Sequence, residues 1–256
     1  MKRLRAVLGS GAVLPLLLLA FWGASVHVGW LDVRLWSSPQ QVLEGGWTAL
    51  GDGSLFAALA ASLKRDLVGF AIGAGLGLPL GLLLARVRLA DRLLSPLLNA
   101  TRQVALFAWV PFLSLWLGNG EVGRIAFIAL ASFFPVLLNS HLGAARVDSR
   151  HLEVARILGL KPHRTLLKVV LPSALPTILT GLRLGLIYAW LATIGAEYLF
   201  STTTGIGSLM MDARELFRMD LVILGMIVIG GIGFVLNIAL NRLAHQPLPS
   251  GMEETI

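Results

Sequence analysis

The chain has 256 residues, of which 56% are apolar and only 14% are charged, and its mean hydropathy is +0.78. A soluble domain carries roughly 25% charged residues, so this composition excludes an ordinary soluble domain and predicts an integral membrane protein. The formal charge of +7 lies in short basic clusters between apolar segments, which argues against a nucleic-acid-binding stripe and favours contact with anionic lipid headgroups.

Six apolar segments are long enough to cross a membrane as helices, since one span needs about 20 mainly apolar residues. We therefore predict an all-α membrane protein of about six transmembrane helices. The predicted spans cover residues 7–28, 68–85, 97–117, 123–142, 174–196 and 221–240. A basic start before the first segment is typical of a signal peptide, but the length of the run and the lack of a convincing small-x-small cleavage site favour a retained span.

Basic residues predict the orientation, because cytoplasmic loops of membrane proteins are enriched in Lys and Arg. With the N-terminus inside, the inner segments hold thirteen basic residues and the outer segments hold five. The inner set is Lys2, Arg3, Arg5, Arg86, Arg88, Arg92, Arg146, Arg150, Arg156, Lys161, Arg164, Lys168 and Arg242, and the outer set is Arg34, Lys64, Arg65, Arg214 and Arg218. Both termini are therefore predicted to be cytoplasmic.

The expected organisation is an N-terminal span and periplasmic linker (1–60), a transmembrane domain (61–243) and a short cytoplasmic tail (244–256).

The second and sixth spans are rich in glycine, and Gly73 and Gly77 form a G-x-x-x-G pair. Small residues let membrane helices approach closely, so close packing is one interpretation and a helix that lines a pathway is the other. Prolines at positions 79, 111, 135 and 176 permit bends in four spans.

Ionisable residues at membrane depth are often functional. Arg102 is expected near an interface, and Arg183 is interpreted as the only deep charge, with a buried partner, a polar cavity or an anionic substrate as its possible contacts. Glu197 is expected to lie at the outer interface, to cap a pathway or to pair with a cation. These two, Arg183 and Glu197, are the candidate translocation-pathway residues.

No chemistry of catalysis, metal binding or ATP binding is visible in the sequence. There is no cysteine, which excludes disulfides, thiol catalysis and Cys-based metal sites. The five histidines form no metal-ligand pattern, and no G-x-x-x-x-G-K-[ST] segment that would cradle phosphates is present. We expect no cofactor and no enzymatic activity.

A polar segment with fixed spacing lies between the fourth and fifth spans. Glu153, Ala155 and Gly159 give the pattern E-x-A-x-x-x-G, and after nine residues an aliphatic residue, any residue and the pair Leu171-Pro172 follow. The general interpretation is an amphipathic surface helix that ends at Gly159, where glycine permits a sharp turn. A second short helix, over residues 208–218, is predicted outside, with Leu209, Met210, Ala213, Leu216 and Phe217 on one apolar face.

The polar segment resembles the EAA coupling loop of bacterial ABC importer permeases, with Val154 where that pattern favours alanine. Further stretches, in order, are similar to the permease subunits of aliphatic sulfonate, taurine and nitrate ABC importers over roughly residues 50–242. These stretches are Leu106–Phe112, Phe133–Asn139, Leu171–Pro176, Gly181–Arg183, Ala196–Glu197, Gly205–Gly207 and Asp212–Arg214.

The resemblance implies a type I importer permease in the bacterial inner membrane, with a cytoplasmic coupling helix in a loop at about 146–172. It implies that ATP hydrolysis occurs on separate cytoplasmic ATPase subunits, which dock on Glu153, Ala155, Gly159, Leu171 and Pro172. A second permease copy, usually identical, and a periplasmic or lipid-anchored substrate-binding protein complete the assembly. The outer helix at 208–218 is then expected to contact either that binding protein or the membrane.

The substrate expected from this resemblance is a small anion, most readily an alkanesulfonate or taurine. Nitrate or a vitamin precursor is an alternative within the same permease role. From a different class, an ion-coupled secondary transporter remains an alternative, although the sequence has no clear internal repeat and would leave the polar segment unexplained. An intramembrane enzyme is disfavoured because no nucleophile–base pair is evident.

Overall fold

The structure is a computed structural model that describes residue 13 and residues 17–30, 36–200 and 204–244, without the side chains of 241–244. All regular secondary structure in these residues is helical. The helices are α1 (Leu17–His27), α2 (Pro39–Gly51), α3 (Ser54–Arg86), α4 (Arg88–Gln103), α5 (Val110–Leu117), α6 (Glu121–Ala145), α7 (Ser149–Ile157), α8 (Pro162–Thr165), α9 (Leu171–Leu199), α10 (Ile206–Glu215) and α11 (Met219–Ala244). A 3₁₀ turn, Leu106–Trp109, precedes α5, and a π-helical turn, Leu166–Val170, joins α8 to α9.

Two compact units are distinguished by their contacts. The first unit comprises Met1–Ala61 and Thr203–Gly231, and the second unit comprises Ser62–Thr202 and Ile232–Ile256, so that the boundaries fall inside α3 and α11. The packing described below lies within one or the other unit.

Four of the described helices are long and apolar enough to cross a membrane: Ser54–Arg86, Glu121–Ala145, Pro162–Leu199 and Met219–Leu240. These agree with the predicted second, fourth, fifth and sixth spans, so the described residues form an all-α structure with several helices that can span a membrane. The predicted first span lies partly outside the described residues, as do Lys2, Arg3, Arg5 and Arg34, and its described part is the apolar helix α1. The tail that follows residue 244 also lies outside them.

The predicted third span, over about 97–117, is not one straight helix. The helices α4 and α5 are separated by a break and bend by 98°, so together they count as at most one broken span. Val104 has extended backbone angles (φ −70°, ψ 124°) and ends α4, and the 3₁₀ turn follows. Helix α4 also carries charged and polar side chains along its length, among them Arg92, Asn99 and Arg102.

Helices α3 and α6 run parallel with their backbones in close approach. The glycines at positions 69, 73, 77 and 81 lie on one stripe of α3, and a Cβ atom added to each would meet the carbonyl oxygens of Ile125, Ala129, Phe133 and Leu137, in that order. Both sets of numbers rise in steps of four, which defines the parallel arrangement. Small residues that admit such an approach favour the packing interpretation for this stripe.

Helices α6 and α9 pack antiparallel in the same unit. Gly143 lies against Ala174, whereas Gly185 lies against Ser132 and Val136. Their shared core is a cluster of buried residues: Phe127, Ile128, Ala131, Ala189, Ala192, Ala196 and Phe200. The C-terminal ends of α3 and α6 and the N-terminal end of α9 therefore lie at the same end of the second unit.

In the first unit, α2 begins with a capping box and packs through small residues. Ser38 Oγ accepts a hydrogen bond from the backbone N–H of Gln41, and the Gln41 side chain accepts one from the N–H of Ser38. Gly45 and Gly46 face Asp220 and Leu224 on α11. The first unit thus has a helix-packing contact of its own.

The outer helix predicted at 208–218 is α10, but its apolar residues do not share one exposed face. Met210 and Ala213 are buried, whereas Leu216 and Phe217 follow the end of α10 and are 71% and 72% exposed. The backbone of Phe217 has a positive φ of 54°, which turns the chain out of the helix. Part of the predicted face therefore belongs to the core of the first unit.

Substitution of a stripe glycine tests the close approach of α3 to α6. Gly73→Ala is expected to lower the melting temperature of the purified protein in nanodiscs, because the added Cβ overlaps the Ala129 carbonyl oxygen and the Ser132 hydroxyl. Overpacking of this kind costs roughly 1–3 kcal/mol. The matched control is Gly75→Ala on the same helix, where nothing lies within 4 Å of the added Cβ. Equal losses in the two variants would contradict the packing.

Candidate functional site

The predicted coupling segment is a short helix, α7, with a defined cap at each end. The Asp148 side chain accepts a hydrogen bond from the backbone N–H of Arg150 at 2.9 Å and caps the N-terminus. At the C-terminus, the N–H groups of Gly159 and Leu160 donate to the carbonyl oxygens of Arg156 and Ala155, both at 3.0 Å. Gly159 has a φ of +64°, so α7 ends in a Schellman motif at the glycine where the sequence predicts the end of the helix.

The two faces of α7 have different surroundings. Ala155 is 2% exposed and Leu152 packs against the core of the second unit. On the other side, Val154, Ile157 and Leu158 are 53%, 84% and 70% exposed. Three uncovered apolar side chains at i, i+3 and i+4 form a stripe on one face of a helix. We call Val154, Ile157 and Leu158 the outer stripe of α7.

The inner face of α7 is connected to the long helices through one apolar cluster. Its buried members are Leu82, Ala144, Val170, Ala174 and Ile178, and Leu152, Leu166 and Leu171 pack around it. Leu82 belongs to α3, Ala144 to α6, and Ala174 and Ile178 to α9. A displacement of α7 would therefore be transmitted to three membrane helices, since packed cores resist deformation.

A π-helical turn lies between α8 and α9, directly before Leu171 and Pro172. The N–H of Leu171 donates to the carbonyl oxygen of Leu166, five residues earlier. Pro172 has no N–H and its ring disfavours a regular preceding turn. Single π turns are frequent at functional sites, and this one separates the coupling segment from the membrane-spanning part of α9.

The opposite end of the second unit holds a cluster of charged side chains centred on Arg65. Arg65 Nη1 lies 2.7 Å from Glu197 Oε1, and Nε and Nη2 donate to the two carboxylate oxygens of Glu121 at 2.8 and 2.7 Å. Arg124 Nη1 also donates to Glu121, at 2.8 Å, and Ser62 Oγ donates to Glu197 at 2.7 Å. The cluster therefore ties α3 to α6 and α9.

Burial differs within this cluster. The side chains of Arg65 and Glu197 are 6% and 0% exposed, whereas that of Glu121 is 54% exposed. Asp66, next to Arg65, is also fully buried; its Oδ1 lies 3.5 Å from Thr193 Oγ1, and its Oδ2 has no hydrogen-bond partner among the described residues. Buried charges of this kind are stable only when they are paired, so the Arg65–Glu197 contact is expected to be essential to the packing.

Both predicted pathway residues, Glu197 and Arg183, make side-chain contacts within the second unit. Glu197 pairs with a cation, Arg65, which was one of its three possible roles. Arg183 is half-buried, and its Nη2 donates to the side-chain oxygen of Asn237 at 2.7 Å. Arg183 and Glu197 are not brought together, since they lie almost four turns apart on α9.

Arg183 is not the only charge within the helical core, and Arg65, which the sequence assigns to an outer segment, lies inside α3. Arg65, Asp66 and Arg124 are all buried between helices. Helix α3 begins at Ser54, well before the predicted span at residue 68. A signal was present: Arg65 continues the four-residue period of the glycine stripe of α3.

Within the described residues, no group of three or more His, Asp or Glu side chains is arranged to hold a metal ion. The outer stripe of α7 lies at one end of the helical core of the second unit, and the buried Arg65–Glu197 pair lies at the other end. Such an arrangement suits the transmission of force along helices.

Loss of the buried carboxylate is expected to affect stability more than loss of the exposed one. Glu197→Gln should destabilise the purified protein by roughly 3 kcal/mol, because it leaves Arg65 buried beside a neutral partner. Glu121→Gln is the matched control, since Glu121 also contacts Arg65 at 2.7 Å but is half-exposed; about 1 kcal/mol or less is expected there. Thermal unfolding in nanodiscs measures both, and a larger loss for Glu121→Gln would refute the ranking.

Comparison with known proteins gives matches over most of the chain. The family model described as "Binding-protein-dependent transport system inner membrane component" matches residues 77–246. The aliphatic sulfonates transport permease protein SsuC of Escherichia coli (strain K12) is 38% identical over 90% of this chain and 87% of its own length. The taurine transport system permease protein TauC of the same organism is 33% identical over 91% and 86%. The bicarbonate transport system permease protein CmpB of Synechocystis sp. (strain ATCC 27184 / PCC 6803 / Kazusa) is 35% identical over 73% and 66%.

A solved structure of the MetNI methionine ABC transporter in an inward-facing conformation has a similar fold. The TM-score is 0.63 at 20% sequence identity, and the match covers 75% of this chain and 94% of that chain. At this identity the likeness concerns the fold alone. It confirms the predicted architecture of an ABC importer permease.

Proposed function

This chain belongs to the family of binding-protein-dependent transport system inner membrane components, and on that basis we propose that it forms the translocation pathway of an ATP-driven importer of small anions. Its ATP hydrolysis takes place on separate cytoplasmic ATPase subunits, and a periplasmic or lipid-anchored binding protein delivers the substrate. Two copies of the chain form the channel as a homodimer.

One observation carries the proposal: the outer stripe of α7. Val154, Ile157 and Leu158 are exposed on a helix whose other face is packed against the membrane-helix core. An apolar helix face suits insertion into a groove of a partner protein. We assign the ATPase subunit as that partner, with Glu153 contributing an exposed carboxylate at the same surface.

The proposed orientation places α7 and both termini in the cytoplasm. Arg86, Arg88 and Arg146 lie at or next to the helix ends that share the end of the second unit from which α7 emerges. The Arg65–Glu197 cluster lies at the opposite, periplasmic end. This arrangement agrees with the enrichment of basic residues in cytoplasmic segments.

In the proposed cycle, ATP binding draws the two ATPase subunits together and moves the docked α7 helices with them. Ala155 and Leu152 pass the motion to the apolar cluster that α3, α6 and α9 share. The π turn before Leu171 and Pro172 joins α8 to α9. The binding protein docks at the periplasmic side, where Leu216 and Phe217 are exposed near α10.

The proposed substrate is a small organic anion, in the first place an alkanesulfonate or taurine. This follows from relatives whose names specify aliphatic sulfonates and taurine and whose alignments cover about nine-tenths of this chain. The bicarbonate relative covers less of it, so bicarbonate, nitrate and vitamin precursors are second candidates. An ion-coupled secondary transporter would continue uptake after ATP depletion and stop when the proton gradient is collapsed.

Substitution of Gly159 tests the coupling role. Gly159→Asp is expected to leave the protein in the membrane but to abolish uptake, because a side chain at a φ of +64° distorts the end of α7 at the docking surface. No atom lies within 4 Å of an added Cβ, so the fold of the chain should survive. Gly159→Asn, which tolerates this backbone region better, is the matched control and should retain more uptake. Uptake of a radiolabelled sulfonate by intact cells measures the effect of both variants. Normal uptake by Gly159→Asp would refute the coupling role of α7.

Growth on single nutrient sources tests the substrate class. A strain that lacks the gene is expected to fail on taurine or longer alkanesulfonates as the sole sulfur source and to recover when the gene is restored. Growth on sulfate is the control, because it does not require this importer. Unchanged growth on all sulfonates, in a strain without a second copy of the system, would refute the sulfonate assignment.

A further inference from the structure

A cavity of about 630 Å³ lies in the second unit, between the end of α4, the 3₁₀ turn, α6 and α9. The break that separates α4 from α5 opens it, since Val104 and Leu106 on either side of the break line its wall. None of the residues that the sequence pattern singled out for the pathway lines this cavity.

The cavity lies at mid-height of the helical core. On α6 its lining residues fall between Leu130 and Asn139, and on α9 between Leu184 and Ala192. These are the central parts of helices that run from Glu121 to Ala145 and from Leu171 to Leu199. Many secondary transporters hold their substrates near the midplane, at broken helices, and the α4–α5 pair is broken in a comparable way.

The walls are apolar and aromatic. Phe107, Trp109 and Phe134 contribute rings, and Leu138 and Leu191 contribute aliphatic side chains. Ligand cavities in proteins are typically lined in this way, with a few polar groups that orient the ligand.

Three lining side chains are polar: Arg102, Asn139 and Tyr188. The Asn139 amide nitrogen donates to the Pro135 carbonyl at 2.8 Å, which restricts the rotation of this side chain. Arg102 is exposed and has no ion-pair partner among the described residues, whereas Arg65 and Arg124 contact Glu121. A cation that lines a cavity without a counter-charge favours an anionic ligand.

We propose that this cavity binds the transported substrate as an organic oxyanion with a short aliphatic body. The Arg102 guanidinium pairs with the sulfonate or carboxylate head, because its planar donors match two oxygens at once. The aromatic and aliphatic wall takes the body of the ligand. The inference rests on the proposed function and narrows it, since an inorganic anion such as bicarbonate would leave the apolar wall in contact with water.

The charge of Arg102 is tested in proteoliposomes that contain the full transporter, with its ATPase and binding protein. Arg102→Gln is expected to lower uptake of radiolabelled butanesulfonate by at least about tenfold, as the loss of a charge-assisted hydrogen bond predicts. ATP hydrolysis stimulated by the loaded binding protein should remain, because the outer stripe of α7 is untouched. Arg102→Lys should restore part of the uptake, and Arg92→Gln, on the same helix but outside the cavity lining, is the matched control.

The apolar wall is tested by a second variant that does not change charge. Leu184→Trp narrows the cavity and is expected to reduce uptake of octanesulfonate more than uptake of ethanesulfonate. This change in chain-length preference separates binding in the cavity from a general loss of folding.

The outcomes distinguish the cavity from the proposed function. If the wild-type transporter imports butanesulfonate and Arg102→Gln does so equally well, the cavity is not the substrate site, and a lipid chain or a second copy of this protein is its occupant. If Arg102→Gln fails to assemble, an unchanged chain-length preference in Leu184→Trp overturns the inference. If the wild-type transporter imports no sulfonate, the proposed substrate class fails, and the inference fails with it.

Discussion

The close approach of α3 to α6 is the contact on which the rest of the second unit depends. Four glycines on α3 face four carbonyl oxygens of α6, and no side chain larger than hydrogen fits between them. Lipid offers no hydrophobic drive for helices to associate, so contact area and close packing have to supply it. The same approach sets the parallel register that brings Arg65 on α3 beside Glu121 on α6.

The parallel register of α3 and α6 places Arg65 where its burial is compensated by paired carboxylates. Arg65 and Glu197 are removed from solvent, which is expensive for isolated charges, and their geometry satisfies several donors and acceptors at once. The pair also selects one arrangement of three helices, because a slip of one residue would separate the partners. At the other end of the same helices an apolar cluster connects them to α7. The apolar cluster next to α7 and the ion pair therefore belong to a single packed core, which is what the proposed transport cycle requires.

Several elements were readable from local chemistry. The short helix α7 and its termination at Gly159 depend on contacts within a few residues, so the local sequence predicted them. Four membrane helices could be predicted from the sequence, because a run of about 20 apolar residues is stable in a bilayer and not in water. The break between α4 and α5, the early start of α3 and the division of the α10 residues between core and surface were missed. Each depends on which neighbours a helix meets, and hydropathy averaged along the chain carries no information on neighbours.

The sequence by itself determined the class of the protein, the approximate position of four of its spans, the bias of basic residues to one side and the helix that ends at Gly159. These follow from composition and from interactions that are short in sequence. Only the tertiary structure decided which charges are buried, that Arg65 and not Arg183 is the partner of Glu197, and that Arg102 lines a cavity at mid-height. These contacts join residues that are up to 132 positions apart in the chain. Such polar contacts become strong only when packed helices exclude water and lipid from the space between the partners.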